Sequence, residues 1–199
     1  ENFPGFPNGV QGPELMDLIK SQAIRWGTKL IEEDAISIDL SQRPFTIKTS
    51  TQVVKSNSLI ISTGASANRL GLKNENSFWS KGISACAICD GATPQFRNEE
   101  LAVVGGGDSA CEEAEYLTKY GSHVHLLVRS KNLKASAAMA DRVKANSNIT
   151  IHWETELLDV SGNEWLEKLK VKRKVTNQED EIAAKGLFYA IGHTPNTSL

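Results

Sequence analysis

The sequence predicts an α/β protein in which helices cover a parallel sheet. From residue 101 to residue 152, apolar strand patterns alternate with helical patterns; the five segments are 101–104, 108–120, 123–129, 133–146 and 149–152. Strands that alternate with helices pair in parallel, because each helix returns the chain to the same end of the sheet. Two further observations support the class. Three glycines at 105–107 join the first strand to the first helix, and polar alternation over 156–182 predicts an antiparallel meander.

The residues before this unit predict one helix and several strands. A loop rich in proline and glycine leads to a helix that begins at Pro13, where a missing N–H would have had no partner, and ends at Gly27. Segments 29–40, 44–49 and 52–55 have the alternation and β-branched residues of strands. The apolar stretch 58–62 predicts a short buried strand, and a second buried strand with a turn is expected at 186–192.

Composition limits the classes of function. The 199 residues are 40% hydrophobic and 23% charged, which is ordinary for a globular protein of one domain or two small ones. The net charge of −2 offers no basic field for nucleic acid or an anionic membrane, and no apolar run approaches the roughly 18 residues of a membrane helix. Three cysteines are too few for a disulfide scaffold, so we expect a reducing compartment. The start lacks Met and is no signal peptide, so we expect processing or truncation.

The run from Gly105 to Ala110 (GGGDSA) fits the pattern G-x-G-x-x-A between a buried strand and a helix. In that context Gly105 permits the tight turn, Gly107 lets a pyrophosphate approach the backbone, and Ala110 allows close helix–strand packing. The pattern predicts dinucleotide binding. A plain tight turn is the alternative, and the spacing of Ser109 and Glu112 is also that of a capping box, which needs no ligand.

The charges after the second strand favour NADPH over NADH. An NAD site usually has an acidic residue about 20 residues beyond the glycines, but no acid occurs from 121 to 134. Arg129, Lys131 and Lys134 stand there instead, and cations suit the 2′-phosphate of NADPH. The alternative is a solvated basic rim.

The stretch Ser84–Ala92 (SACAICDGA) contains a CxxC pair followed by an acid. A structural zinc site needs four ligands, but there is no second CxxC, Cys111 lies in a predicted helix, and the four histidines are scattered. Cys86 and Cys89 could therefore be inert thiols or a redox pair. A partly buried Asp90 could protonate a departing thiolate, although a turn residue before Gly91 is its plainer interpretation. Beside a dinucleotide domain, we favour the redox interpretation.

A hydride donor and a disulfide need an intermediary. Nicotinamide delivers two electrons as a hydride, and a disulfide is a poor direct hydride acceptor. The chemistry therefore predicts a flavin, FAD or FMN, somewhere in the complete protein.

In combination, these motifs resemble the NADPH-dependent thioredoxin reductases of the low-molecular-weight flavoprotein type. The resemblance covers essentially the whole chain and is closest to the chloroplast and cyanobacterial branch, which includes enzymes with their own thioredoxin domain. The stretches that carry it are ENFPG at 1–5, TGAS at 63–66, SACAICDG at 84–91, GGGDSA at 105–110 and GHTPN at 192–196, with FWS at 78–80 and YLTKY at 116–120 for the branch.

The resemblance implies a Rossmann-like NADPH domain, of the ββα nucleotide-binding type, inserted into a partial FAD domain. Residues 1–66 would be part of the FAD-binding domain, 67–186 the NADPH-binding domain carrying the CxxC, and 187–199 the return strand to the FAD domain. Cys89 would exchange electrons with the flavin, Cys86 would attack the disulfide of thioredoxin or a thioredoxin-like domain, and Asp90 would be the acid.

The resemblance also implies cofactor contacts. The NADPH candidates share the glycine loop, the basic segment and the final turn; they are Gly105, Gly107, Asp108, Ser109, Ala110, Arg129, Lys131, Lys134, Ile191 and Gly192. The FAD candidates lie in two of the quoted motifs; they are Asn2, Thr63, Gly64 and Ala65. We expect a homodimer in the cytoplasm or the chloroplast stroma, with no metal, nucleic acid or membrane partner.

Two departures from the family pattern bear on these expectations. Ser130 stands where the family usually has a second arginine, and Lys131 does not reproduce a bidentate guanidinium. The family's first glycine-rich FAD loop would precede residue 1, and its FAD-binding Gly-Asp motif would follow Leu199, so we expect this chain alone to hold FAD poorly. Two alternatives remain: an NADP-binding fragment without turnover, and a related flavin disulfide reductase serving a peroxidase.

Overall fold

The computed structural model describes residues 4–199, which divide into two compact units. The first unit runs to Ser62 and includes Thr197–Leu199, and the second comprises Thr63–Asn196. The junctions expected from the sequence, after 66 and after 186, differ from these. They differ because the strand at 186–189 pairs inside the parallel sheet of the second unit, and because residues 65–67 pair with residues 193–195.

The first unit contains one helix and a three-stranded antiparallel sheet of order β1-β2-β3. Its elements are α1 (Gly12–Arg25), β1 (Ala35–Asp39), β2 (Phe45–Thr49) and β3 (Val53–Ser56). Gly27 adopts a φ of 86° just after the helix, and its N–H donates to the carbonyl of Ile24, as expected for a helix stop.

The buried strand predicted at 58–62 is wrong. No strand forms there, and the side chains of Ile60 and Ile61 are 90% and 56% exposed. An apolar run predicts a buried strand only if neighbouring strands and a covering layer are present, and within the first unit the described residues supply neither to this stretch.

The second unit is built on a five-stranded parallel sheet of order β5-β12-β6-β7-β8. Its strands are β5 (Ile83–Ser84), β6 (Glu100–Val104), β7 (His123–Val128), β8 (Ile149–Trp153) and β12 (Gly186–Tyr189). Two helices, α4 (Asp108–Leu117) and α5 (Ala137–Ala145), connect the central strands. The predicted α/β class and the strand–helix alternation over 101–152 are confirmed.

Alternate residues of the central strands face two different layers, as the pleat of a strand requires. Leu101 and Val103 pack with buried residues of α4 and α5. Ala102 packs on the opposite face with the meander. The meander is the predicted antiparallel one, with strands β9 (Thr155–Gly162), β10 (Leu166–Arg173) and β11 (Glu179–Ala183). Both faces of the sheet are therefore covered.

Short elements complete the second unit. They are β4 (Ala65–Ala67), α2 (Glu75–Phe78), α3 (Ala87–Asp90), a 3-10 turn at Pro94–Phe96, and β13 (His193–Pro195), which pairs antiparallel with β4. Across the described part of the chain, no helix has both the length and the apolar character needed to cross a membrane.

Candidate functional site: a disulfide turn beside a dinucleotide loop

The predicted CxxC pair forms a disulfide on a single helical turn. Cys86 and Cys89 are bonded, with their Cα atoms 5.3 Å apart, and α3 spans the residues that follow Cys86. The Sγ of Cys86 accepts a hydrogen bond from the backbone N–H of Cys89 at 3.2 Å. Cys89 is exposed and Cys86 is half-buried, so a reagent or a partner can reach the bond.

A serine that the sequence analysis did not select connects the acid to the disulfide turn. The hydroxyl of Ser84 donates to Oδ2 of Asp90 at 2.6 Å and accepts the backbone N–H of Cys86 at 3.1 Å. Asp90 is half-buried at the end of α3. The carboxyl of Asp90 is thereby connected through Ser84 to the backbone of Cys86.

The disulfide turn packs tightly against α4. A Cβ on Gly91 would lie 2.6 Å from the carbonyl oxygen of Ala87 and 2.7 Å from Cδ2 of Leu117, so only glycine fits at this contact. Helix α4 begins directly after the glycine loop, so one helix contacts both the disulfide turn and the dinucleotide motif.

Glu113, on the α4 face toward this turn, was also missed. Its Oε2 is buried without a hydrogen-bond partner among the described residues. Burial raises the pKa of Glu113 to about 7; the neighbouring Glu112 adds to the shift, and the Ala87 N–H opposes it. The available signal was its spacing, since it lies on the buried stripe between Ala110 and Leu117.

The glycine loop forms one wall of a cavity of about 510 Å³ at the carboxyl ends of β6 and β7. This is where ligands bind in open parallel sheets. Of the predicted NADPH residues, the cavity brings together Gly105, Gly107, Arg129, Lys134 and Ile191. Residues without a predicted role also line it: Leu70, Leu72, Thr155, Glu156 and Leu157.

The two predicted glycines of the loop have different roles. Gly105 has a φ of 153°, and a Cβ there would lie 2.4 Å from the carbonyl oxygen of Ala190 and 2.8 Å from Cβ of Ala110. The fold itself therefore needs Gly105, and the close packing expected at the buried Ala110 is present. A Cβ on Gly107 would meet nothing within 4 Å. That open space suits a ligand that approaches the backbone.

Asp108 and Ser109 lie at the exposed start of α4, outside the cavity lining. Oδ1 of Asp108 accepts the backbone N–H of Ser136 at 2.8 Å, and this hydrogen bond lowers the pKa of Asp108. Asp108 thus ties the start of α4 to the start of α5. The capping box suggested for Ser109 and Glu112 does not form, because Gly107 is the N-cap and Ser109 is already inside the helix.

The basic segment is exposed beside the cavity. Arg129, Lys131 and Lys134 have no ion-pair partner within residues 4–199. Arg129 and Lys134 line the cavity, whereas Lys131 does not. The hydroxyl of Ser130 donates to the carbonyl of Asn132 at 2.8 Å, so it stabilises its own loop.

The predicted FAD residues are not gathered into a comparable site. Asn2 lies outside the described residues. Thr63, Gly64 and Ala65 are exposed in the second unit, and Asn196 hydrogen-bonds the carbonyls of Thr63 (3.1 Å) and Gly64 (3.0 Å). None of the three lines the 510 Å³ cavity, and neither does Gly192, whose carbonyl accepts the N–H of Asn68. The described residues by themselves do not form a flavin site.

The family follows from a comparison with known proteins. The model of the family described as pyridine nucleotide-disulphide oxidoreductase matches residues 5–199. The chain belongs to this family. A dinucleotide loop beside a CxxC disulfide is the arrangement that the family's description implies.

Within the pyridine nucleotide-disulphide oxidoreductases, the chain is similar to thioredoxin reductases, which confirms the resemblance found in the sequence. It is 56% identical over 201 residues to the NADPH-dependent thioredoxin reductase 3 of Arabidopsis thaliana, covering 38% of that protein. It is 49% identical over 204 residues to thioredoxin reductase 1 of Saccharomyces cerevisiae, covering 64%. All of this chain is matched in both.

A solved structure agrees with the sequence relatives. The thioredoxin reductase from Giardia duodenalis is 40% identical to this chain and superposes on it with a TM-score of 0.81. The match covers all of this chain and 64% of the Giardia chain. The chain thus spans less than two thirds of the length of these relatives.

Proposed function

We propose that this chain carries the NADP-binding and dithiol parts of an NADPH-dependent thioredoxin reductase. The observation that carries the proposal is the position of α4, which begins at the dinucleotide loop and packs against the exposed Cys86–Cys89 turn. The names of the relatives support thioredoxin, or a thioredoxin-like domain, as the acceptor.

The nucleotide half of the reaction uses the cavity beside the glycine loop. Gly107 leaves room for the pyrophosphate at the start of α4, where backbone N–H groups and the helix dipole favour an anion. Arg129 and Lys134 line this cavity and would contact the 2′-phosphate, which distinguishes NADPH from NADH. A bound NADPH would supply two electrons as a hydride at this cavity.

The dithiol half runs through two exchange steps. In the reduced state, the Cys86 thiolate attacks the disulfide of the partner, forms a mixed disulfide and releases one partner thiolate. Cys89 then attacks Sγ of Cys86, which re-forms the Cys86–Cys89 bond and releases the second thiolate. Asp90, held by Ser84, donates the proton that a departing thiolate takes up. The partner gains two electrons and two protons.

The remaining expectations belong to the same proposal. The complete protein is a homodimer of the cytoplasm or the chloroplast stroma, of the chloroplast and cyanobacterial type, and it binds neither nucleic acid nor membrane. Sedimentation of the full-length protein tests the dimer, and a monomer with full turnover contradicts it.

Turnover of the full-length protein tests the dithiol chemistry. With NADPH and thioredoxin supplied, we expect Cys86→Ser to abolish thiol release, because no attacking sulfur remains. Cys111→Ala is the matched control, since Cys111 is a buried free thiol inside α4, and it should retain turnover. Normal turnover by Cys86→Ser overturns the proposal.

Nucleotide binding to the chain tests the cavity separately. Gly107→Ala should lower NADPH affinity by about tenfold or more with only a small loss of melting temperature, since the added methyl meets no protein atom within 4 Å. Lys134→Ala should weaken NADPH and leave NADH unchanged. Equal binding of NADPH and NADH by the unaltered chain contradicts the assignment of the basic residues.

A second candidate function is an NADP-binding module without turnover of its own. The exposed, already hydrogen-bonded FAD candidates at 63–65 favour it. A visible absorbance spectrum of the purified chain decides between the two, because a bound flavin gives a yellow band. A yellow chain that NADPH bleaches excludes the module.

A further inference from the structure

Glu75 is a buried acid that has no role in the mechanism above. It is the first residue of α2 and is only 3% exposed. Its Oε1 accepts two hydrogen bonds, one from the backbone N–H of Leu70 at 3.0 Å and one from the hydroxyl of Tyr189 at 2.8 Å. Burial of an acid is unfavourable unless hydrogen bonds compensate for the lost hydration, so this placement needs a structural or functional reason.

The two groups that donate to Glu75 belong to separate parts of the cavity wall. Leu70 itself lines the cavity of about 510 Å³, and Tyr189 is the last residue of β12, directly before the lining residues Ala190 and Ile191. Burial raises the pKa of Tyr189, so its hydroxyl keeps the proton that it donates. The carboxyl of Glu75 therefore connects the stretch around Leu70 to the end of β12.

The stretch around Leu70, which we call the wall segment (residues 68–75), is also held near both of its ends. The side-chain amide of Asn68 donates to the carbonyl of Ile191 at 3.2 Å. Asn74 donates to Asp159 of β9 through its backbone N–H at 3.1 Å and through its side-chain amide at 2.9 Å. The buried carboxyl fixes the part between these two attachments, which is the part that lines the cavity.

The strand order indicates which half of a dinucleotide would meet the wall segment. Arg129 and Lys134, which follow β7, would contact the 2′-phosphate of the adenosine half, and the glycine loop after β6 would contact the pyrophosphate. In the sheet, β12 lies on the side of β6 opposite to β7. A dinucleotide that crosses these three strand ends in order therefore brings its nicotinamide half to Ile191 and Leu70.

We propose that Glu75 is a positioning residue for the nicotinamide half of the bound dinucleotide, because it fixes Leu70 of the wall segment against the end of β12. The proposal rests on the proposed function, since it assumes that the cavity holds NADPH. Glu75 does not line the cavity, so it acts through Leu70 and Tyr189. A wall that is fixed before binding loses less conformational freedom when the ligand arrives, and this favours both affinity and orientation.

The first test compares two nucleotides that share the adenosine half. NADP⁺ has both halves, whereas adenosine 2′,5′-bisphosphate has the 2′-phosphate and no nicotinamide. In the full-length protein, Tyr189→Phe should weaken NADP⁺ binding by about fivefold, the effect of one lost hydrogen bond, and should leave binding of the bisphosphate unchanged. Titration calorimetry measures both dissociation constants. If Glu75 and Tyr189 only stabilised the fold, the two nucleotides would be affected alike.

Tyr120→Phe is the matched control for the loss of a phenol hydroxyl. The hydroxyl of Tyr120 contacts that of Tyr116 at 3.2 Å, and neither residue lines the cavity. Neither dissociation constant should change in this variant. Equal weakening of both nucleotides by Tyr189→Phe, or no weakening of either, overturns the proposal.

Substitutions of Glu75 itself test the shared acceptor. Glu75→Gln keeps an acceptor oxygen for both donors and should retain most of the NADP⁺ affinity. Glu75→Ala removes that oxygen and should weaken NADP⁺ more than Tyr189→Phe does, again without an effect on the bisphosphate. A Glu75→Ala protein that folds and binds NADP⁺ as the unaltered protein does contradicts the inference. If Glu75→Ala does not fold, Tyr189→Phe decides alone.

The second test observes the wall segment directly. In ¹⁵N–¹H spectra of the unaltered protein, saturating NADP⁺ should shift the resonance of the Leu70 amide, whose proton Glu75 accepts. Adenosine 2′,5′-bisphosphate should leave this resonance close to its position in the free protein, since it lacks the half that meets Leu70. A Leu70 amide that responds equally to the two nucleotides contradicts the inference.

These outcomes are separate from those for the proposed function. If the full-length protein reduces no thioredoxin but Tyr189→Phe weakens NADP⁺ alone, the proposed turnover is wrong and the positioning role of Glu75 stands. If thioredoxin is reduced normally while Tyr189→Phe leaves both dissociation constants unchanged, the positioning role is wrong and the function stands. A protein that binds neither nucleotide overturns both.

Discussion

The two units differ in what they bury. Every buried side chain among the described residues belongs to the second unit, from Glu75 to Tyr189. In the first unit, none of the described residues is buried, and apolar side chains such as Met16 and Leu18 on α1 remain exposed. The second unit has a sheet covered on both faces, whereas the helix and three strands of the first enclose no core.

This difference shows where the stability of the chain resides. Burial of apolar area is the main favourable term in folding, so a unit without buried side chains contributes little of it. The disulfide turn, the glycine loop and the cavity all belong to the second unit. The chemistry is thus placed on the unit that has its own core, which suits a site that needs fixed geometry.

Hydrogen exchange should show the largest contrast between the units. Amides of β6, β7 and β12 should exchange only on global unfolding, at a cost of about 5 kcal/mol or more, whereas those of α1 and β1–β3 should exchange through local opening. The expected difference in protection is roughly 1,000-fold or more. Mass spectrometry of peptides from the exchanged chain measures it, and equal protection in both units refutes the contrast.

The same substitution placed in each unit gives the next largest effect. Leu187→Ala in β12 removes a side chain that is 0% exposed and should lower the free energy of unfolding by about 3 kcal/mol. Leu18→Ala in α1 removes one that is 48% exposed and should change it by less than about 0.5 kcal/mol. Urea denaturation followed by circular dichroism compares them. A larger loss of unfolding free energy for Leu18→Ala than for Leu187→Ala would contradict the conclusion that the second unit provides most of the stability.

The central strands were predictable from the sequence because their signals are local. The apolar runs ending at Val104 and Val128 alternate with helical patterns, and glycines directly follow the first run, so together they predict neighbouring parallel strands. The run at 58–62 has the same local signal, and no strand forms, because pairing depends on neighbours that composition cannot reveal.

The candidate site was predictable only in part. Its cysteines and glycines have motif spacing, which a sequence displays directly. Ser84 and Glu113 were missed because their environments depend on contacts between separate elements, namely a hydroxyl shared by Asp90 and Cys86, and the burial of one carboxyl oxygen of Glu113. An acid on the buried stripe of a helix departs from the amphipathic pattern, and that departure is the signal for such a residue in a sequence.

Replacing one glycine by alanine in each unit should give a smaller difference in stability loss. For Gly27→Ala in the first unit, nothing lies within 4 Å of the added methyl, and the backbone φ of 86° is the unfavourable feature. The substitution should lower the free energy of unfolding by about 1 kcal/mol. Gly105→Ala adds contacts at 2.4 and 2.8 Å with backbone and side chain and should cost more than about 2 kcal/mol. Melting temperatures of both variants measure the difference. Equal losses of melting temperature would show that the glycine loop can relax around the methyl group added at Gly105.

The smallest contrast concerns two glutamates whose pKa values shift in opposite directions. In the first unit, hydrogen bonds from Thr49 (2.6 Å) and Thr51 (2.7 Å) lower the pKa of Glu33 to about 2, and Gln52 adds to the effect. In the second unit, burial raises the pKa of Glu113 to about 7. The hydrogen-bond donors around Glu33 favour its charged form, and desolvation of Glu113 favours its protonated form.

The signs of the two pH dependences follow from proton linkage. Glu33 stabilises its fold above its unfolded pKa of about 4.5, and this contribution is lost as the pH falls toward 2. Glu113 retains a proton in the fold that the unfolded chain has lost, so stability falls as the pH rises from about 4.5 to about 7. Since Glu113 is only half-buried, solvent screening limits the loss to on the order of 1 kcal/mol.

Two substitutions, one in each unit of the chain, measure these pH dependences. Glu33→Gln should speed amide exchange in β2 and β3 at pH 7, relative to the unaltered chain, and the difference should vanish near pH 2. Glu113→Gln should flatten urea stability between pH 4.5 and 7, because the variant has no proton to lose. If the stability of Glu113→Gln still falls over that interval, another group causes the pH dependence of stability. The neighbouring acid Glu112 is then the next to test, as it is the only charge found to raise the pKa of Glu113.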